Sequence, residues 1–246
     1  MISAWLAFFE GIAAIALFAA GTVAAHFGLT FPIIGFAMAM IGGLLFGSLG
    51  VIFGVIGVFR TRAPQRAAGR PRAAVGLLLA AAVFFPILAM GLSGGKNSIN
   101  DITTDIDNPP QFTHAQQIPA NASRDLTYDR SKYADAQKAI YGRLEPLAVN
   151  ADPAATFEKV KETAAQMPTW TVTSTDPATG TLEGYDTSYL YRFKDDFVIQ
   201  VRPGAEPGKS LVEMRSKSRD GKGDFGVNYH RIVGFFDRLK ADGASS

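Results

Sequence analysis

The sequence predicts a membrane protein in two parts: a three-helix transmembrane anchor, then an α+β domain whose antiparallel sheet of about four strands carries helices on one face. Three observations predict it: long apolar runs near the start, an uneven charge distribution, and alternating segments late in the chain. The 246 residues are 48% hydrophobic and 19% charged. Residues 1–95 hold five Arg and one Glu, whereas residues 96–246 hold nineteen Lys+Arg and twenty-one Asp+Glu. A soluble domain carries roughly 25% charged residues, which the second part matches and the first does not. The net charge of +2 argues against a nucleic-acid partner. The chain has no cysteine, which excludes disulfides, thiolate metal sites and cysteine nucleophiles.

The apolar runs are Trp5–Phe27, Pro32–Phe59 and Ala73–Leu92, of 23, 28 and 20 residues. About 20 apolar residues in a helix cross the hydrocarbon core of a bilayer, and only internally bonded backbone is stable there. Arg60, Arg62, Arg66, Arg70 and Arg72 lie between the second and third runs with no acid among them. Short loops rich in Lys/Arg stay cytoplasmic. The expected amino terminus is therefore cytoplasmic and everything after Leu92 external, which in a bacterium is the periplasm. Contact of the same arginines with anionic lipid fits this topology.

Gly43, Gly47, Gly50, Gly54 and Gly57 recur at spacings of 4, 3, 4 and 3 and share one helix face. Small residues let transmembrane helices approach closely. The stripe either packs against the other two spans or offers a seam to a membrane-protein partner or a second copy. Pro86 should kink the third span. Glu10 is the one acid of this part; it is either an interfacial residue near Trp5 or an intramembrane functional carboxylate.

Residues 93–112 read as a linker and extended arm, beginning with the flexible Ser93-Gly94-Gly95 joint and ending at Pro109-Pro110, which continue neither helix nor sheet. Residues 113–127 read as a loop within the external domain, 113–246. Ser131–Arg143 has helical spacing, with Tyr133, Ala136, Ile140 and Tyr141 on one face. Asp152-Pro153 opens a helix burying Phe157, Val160, Ala164 and Met167. Four strands follow: Trp170–Thr175, Thr181–Tyr185, Phe197–Arg202 and Ser210–Lys217. In the last, Leu211, Glu213 and Arg215 oppose Val212 and Met214. Asp224 is expected to cap a final helix facing inward through Ile232, Phe235, Phe236 and Leu239. Helix, helix, four antiparallel strands, helix is an α+β order.

Catalytic motifs are missing: there is no phosphate loop, H-E-x-x-H, nucleophile elbow or dinucleotide fingerprint. His26, His114 and His230 are isolated, and no cofactor or metal is expected. The spacing of Asp101, Asp105 and Asp107 departs from a calcium loop. These acids are expected to bond backbone amides and pair with basic residues of the 215–231 segment, locking the arm to the sheet. Arg202, Arg215, Arg219 and Arg231 are alternatively a pocket for a phosphate or carboxylate. Trp170, Tyr185, Tyr189, Tyr191, Phe197 and Phe235 are either core or the lining of an apolar ligand pocket. An enzyme would use Asp195/Asp196 with Arg202 or Arg215.

Three blocks, NDITTDIDNPPQF from Asn100, FKDDFVIQVRP from Phe193 and SLVEMRSKSRDGKGDFGVNYHRIVGFFDRL from Ser210, resemble the domain-of-unknown-function 1499 family over roughly residues 97–240. The resemblance implies that Asp101, Thr104, Asp105, Asn108, Pro109, Pro110, Asp195, Asp196, Arg202, Arg215, Ser218, Arg219, Gly223, Asp224, Gly226 and Asn228 belong to the family pattern. It implies a small bacterial envelope protein or a plastid protein, without assigned activity, and it carries over no catalytic residue. Many members are lipoproteins; this chain lacks a lipobox cysteine and has three spans instead. The expectation is a non-enzymatic, multi-pass inner-membrane protein whose periplasmic domain binds a partner protein or amphiphile near the bilayer, in contact with membrane lipids, as an accessory or scaffold component of a membrane complex. The alternative is a carrier of a lipid or other hydrophobic ligand.

Overall fold

The computed structural model describes residues 2–94 and 99–243 and divides into two compact units, one of apolar helices and one α+β. In the first, α1 spans Ile2–His26, α2 Pro32–Ile41, α3 Gly47–Arg60 and α4 Arg70–Gly94. A π-helical turn, Gly42–Phe46, joins α2 to α3. The three candidate spans are Ile2–His26, Pro32–Arg60 and Pro64–Leu92, and α4 continues past Pro86. The expected joint at Ser93 and Gly94 is helical backbone; its third residue, Gly95, lies outside the described residues.

The glycine stripe is used inside the bundle. A Cβ built on Gly43 meets Ile87, one on Gly47 meets Phe84 at 3.0 Å, and one on Gly54 meets Leu77 at 2.6 Å, all in α4. One on Gly50 reaches Ala80 at 2.6 Å and the Gly11 nitrogen of α1 at 3.3 Å, and one on Gly57 reaches Ala73 at 2.9 Å and Ala4 at 3.4 Å. Gly35, ahead of the π turn, and Gly42, its first residue, press on α1 against Ala25 and Leu17. The wide turn adds a residue to the helix, and its successive glycines Gly42 and Gly43 face α1 and α4 respectively. The closest approach was not legible: a Cβ on Gly11 would stand 2.5 Å from the Gly76 carbonyl oxygen, and one on Gly76 2.3 Å from the Ala7 carbonyl. At the Arg60–Arg72 end of the bundle, the Arg72 guanidinium lies 4.5 Å over Trp5 and that of Arg62 4.2 Å over Phe59.

In the second unit the sheet has six strands, not about four. β1 is Asp101–Thr103, β2 Leu147–Val149, β3 Trp170–Asp176, β4 Thr181–Thr187, β5 Lys194–Pro203 and β6 Ser210–Ser218. Their order is β1-β6-β5-β4-β3, β2 also pairs with β6, and every pairing is antiparallel. The two additional strands have three residues each, too short to show a period of two. The arm is therefore partly a strand of the domain and not only a linker to it. Short 3₁₀ turns, Ala115–Gln117 and Pro119–Asn121, interrupt the 113–127 loop.

Three helices complete the unit: α5 (Arg130–Tyr141), α6 (Pro153–Ala165) and α7 (Val227–Ala241). Asp129 accepts from the Lys132 amide at the start of α5. Asp152 stands at the N-cap of α6 without a side-chain cap bond. The N-cap of α7 is Gly226 in a left-handed conformation, φ 86°, instead of Asp224. Asp224 still serves that end, accepting from the amides of Gly226 at 2.8 Å and Asn228 at 3.1 Å.

One sheet face presents Leu182, Phe197, Ile199, Val201, Val212 and Met214 to Phe157, Val160 and Ala164 of α6 and Ile232, Phe235 and Leu239 of α7. Trp170 lies 4.1 Å from the Phe197 ring and 5.2 Å from that of Phe235. These rings fill the space under the sheet, where an apolar ligand pocket was the alternative. Replacing Gly76 with valine puts a branched side chain against the α1 backbone. The expected outcome is an α1–α4 pair that loosens in mild detergent, read as a lower melting temperature and faster proteolysis; an unchanged melt would contradict this packing.

Candidate functional site

The opposite face of the sheet carries charge. Register places Glu183 of β4, Asp196, Val198, Gln200 and Arg202 of β5, and Glu213, Arg215 and Lys217 of β6 on it, with Asp101 opposite Lys217. Residues 104–128 run across this face where the other has helices. A small apolar cluster, Phe112, Ala115, Leu126 and Val198, sits beneath them. What holds the segment down is mainly ionic.

Arg215 is fully buried. Its Nε and Nη2 donate to the two oxygens of Asp101, each at 2.8 Å. Nη2 also donates to the Leu126 carbonyl at 2.8 Å and Nη1 to that of Pro110 at 3.4 Å. The guanidinium lies 4.9 Å from the Phe112 ring and 5.2 Å from that of Tyr128. Lys217 gives Asp101 a second cation at 2.8 Å. Burial, reinforced by the Asp101 charge, pushes the Tyr128 phenol far above its ordinary range. Planar, bidentate pairing with a carboxylate is what guanidinium geometry favours and a lysine cannot supply.

The other arm residues have local duties. Thr104 donates its amide to the Met214 carbonyl at 2.9 Å, and its hydroxyl accepts from the Met214 amide at 3.0 Å. Asp105 Oδ1 accepts from the amides of Asp107 and Asn108, both at 2.9 Å, an Asx turn. Asp107 pairs with Arg130 at 2.5 Å. The expected bonds to backbone amides are present, but among the described residues only Asp101 pairs with bases of the 215–231 segment; Asp105 lies near Arg202 and Asp107 pairs with Arg130, both outside it.

The four arginines do not converge. Arg202 pairs with Glu213 and lies 3.6 Å from Asp105; Arg215 holds Asp101; Arg219 holds Asp196 at 2.6 Å. Arg231, on α7, pairs with Asp186 at 2.8 Å and Asp195 at 2.7 Å. Each faces a carboxylate of the chain itself where a bound anion was the alternative. Asp195 and Asp196 point to opposite faces of β5, and Asp196 is further held by Arg124 at 2.6 Å and Asn121 at 3.2 Å. Both acids considered for catalysis are paired. Among the described residues no three His, Asp or Glu side chains are grouped to hold a metal.

Sequence reasoning missed Glu183. It is 1% exposed, and its carboxylate accepts from the amides of Thr113, His114 and Ala115 and from the Thr113 hydroxyl, at 2.6 to 2.9 Å. A glutamate alternating with Leu182 marks the face, but no pattern shows that backbone amides answer it.

Between arm and sheet an open cleft of about 500 Å³ remains. Asn108, Pro109, Gln111 and Thr113 form its arm wall, Asp176, Thr179 and Thr181 its β3–β4 wall, and Val198, Gln200 and Arg202 its floor. The Thr179 hydroxyl and the Ala178 amide hold the Asp176 carboxyl below its ordinary range. One wall is therefore anionic, and the Arg202–Glu213 pair borders the floor. Buried Glu213 Oε2 has no hydrogen-bond donor among the described residues. The site offers amides and hydroxyls for hydrogen bonding.

Replacing Arg215 with methionine leaves the buried Asp101 with only Lys217. Breaking a buried pair from one side costs about 3–5 kcal/mol, so the variant should lose about that much stability by urea denaturation of the full chain. A loss within the range of an exposed pair, about 0–1 kcal/mol, would show that Arg215 does not hold the arm.

A search among curated proteins finds none that matches the chain. The model of a protein family described as a protein of unknown function (DUF1499) matches residues 101–239, from the first residue of β1 into the last turn of α7. More than half the sequence lies in that match, and the chain belongs to the DUF1499 family.

Proposed function

We propose that the protein is a multi-pass component of the bacterial inner membrane, with a cytoplasmic amino terminus and a periplasmic α+β domain that binds a partner as an accessory or scaffold subunit. The observation that carries the binding role is the cleft between arm and sheet, which the chain leaves open while its arginines are matched internally. Orientation rests on the five unbalanced arginines at 60–72, two of which lie over aromatic rings, an arrangement suited to a headgroup boundary. The glycine stripe lends no support to a partner helix, because the bundle uses it internally. The carrier reading is weaker because aromatic rings fill the core beneath the sheet.

Two measurements test the reading. Alkaline phosphatase fused after Ser246 should be active, whereas a fusion in the 62–70 loop should not; the opposite result reverses the orientation. A photo-crosslinking residue at Gln200 should give a discrete adduct in native membranes, and the same residue at Glu206 should not. If neither position gives an adduct, or both give the same products, the cleft is not the binding site.

A further inference from the structure

The loop between β6 and α7 and the first residue of α7 present two large apolar side chains outward: Phe225 is 50% exposed and Val227 45%. Single exposed apolar residues are common and need no explanation. Here the presentation is held in place. Phe225 has φ 53°, a left-handed conformation uncommon for a residue with a bulky side chain, and such strain persists only where the surroundings impose it. Asp224 accepts from the Gly226 and Asn228 amides and from the Asn228 side chain at 2.8 Å. Asn228 also donates to Ser218 at 2.9 Å, and Asn100 donates to the Gly221 carbonyl at 2.7 Å. Asp224 and Asn228 turn inward to fix the loop, and Phe225 and Val227 turn out.

The surroundings favour one occupant. Lys222 is exposed in the same loop; of the loop's two acids Asp224 is buried and Asp220 half-buried, where burial holds its carboxyl above the ordinary range. An aromatic and an aliphatic side chain beside a lysine is the composition that enters the boundary between headgroups and acyl chains. Only five residues, 95–99, separate the end of α4 from Asn100, which is bonded to this loop. Extended, that stretch reaches about 20 Å, so a bilayer holding α4 is within reach.

We propose that the β6–α7 loop is a membrane-contact tip whose Phe225 and Val227 side chains enter the lipid interface. The proposal rests on the reading that the apolar helices span a bilayer.

The absence of cysteine makes the test direct. Single variants Phe225→Cys, Val227→Cys, Glu206→Cys and Leu78→Cys of the full chain are labelled with an environment-sensitive fluorophore and reconstituted into phosphatidylcholine–phosphatidylglycerol vesicles. Glu206 lies in the turn at the other end of the β5–β6 pair, and Leu78 is an exposed residue of α4. Labels at 225 and 227 should show blue-shifted emission and quenching by nitroxide-bearing lipid, while the label at 206 is quenched only from water. Equal aqueous quenching at 225, 227 and 206 overturns the proposal. Shielding at 225 that occurs in native membranes and not in pure lipid vesicles overturns it too, in favour of a protein covering the loop. If the Leu78 label escapes lipid quenching, the spanning reading fails; if Leu78 is quenched and 225 and 227 are not, only the tip fails.

Discussion

The buried pair of Asp101 and Arg215 is the contact on which the rest of the α+β unit depends. A guanidinium removed from water is tolerable only when its donors and its charge are answered. Asp101 answers Nε and Nη2, the carbonyls of Leu126 and Pro110 take further donor capacity, and the rings of Phe112 and Tyr128 flank the plane. Every one of these partners comes from residues 101–128. The segment must therefore lie across the sheet before Arg215 can be buried. Arg215 in turn makes that placement specific, because an offset arm would leave a charge without its partner.

The same logic recurs over the whole face. Glu183 receives three consecutive amides of the segment, and Asp196 gathers Arg124, Arg219 and Asn121. Positive and negative side chains are spent on each other in forming a cover that other α+β domains build from helices or a second sheet. This changes the meaning of the arginines. Four of them in one sequence region suggest an anion site, but their carboxylates come from the same chain. The strip between Asn108 and Gln200 stays open, lined mainly by amides and hydroxyls, with Asp176 on one wall and Val198 and Arg202 at the floor. Those groups can donate and accept hydrogen bonds, in contrast to the ion pairs around them.

What was legible in the sequence follows from which physical signals are local. The alternation of Phe197, Ile199 and Val201 and the helical spacing of Phe157, Val160 and Ala164 are properties of one segment, and those elements stand where the spacing places them. The separation of Glu213 and Arg215 from Val212 and Met214 was equally visible, since a strand of nine residues carries its own period. β1 and β2 were not visible as strands, because three residues hold no period and their pairing partner lies some 60 to 115 positions away. The site divides the same way. Acid-to-amide bonds in Asp105–Asn108 are short-range turn chemistry and could be expected. The Glu183 staple and the Arg124–Asp196 pair join segments about 70 residues apart, and no local rule matches them. The π turn escaped because a spacing of 4, 3, 4 and 3 describes one helix face but does not reveal that Gly42 and Gly43 face different neighbours.

Lack of cysteine sharpens the role of the Asp101–Arg215 contact. It joins residues 114 apart, a separation at which a disulfide would act chiefly by restricting the unfolded chain. An ion pair leaves the unfolded chain free, so its contribution exists only when the arm is seated and desolvated. The β1–β6 ladder adds backbone bonds at the same place, and Gln137 of α5 closes the outer edge of β1 by accepting from the Thr103 amide at 3.0 Å and donating to its carbonyl at 2.7 Å. A strand of three residues thus has both edges bonded and its charge answered. That makes the arm cooperative with the sheet, and because the arm forms one wall of the cleft, the shape of the cleft depends on a contact that none of its lining residues makes.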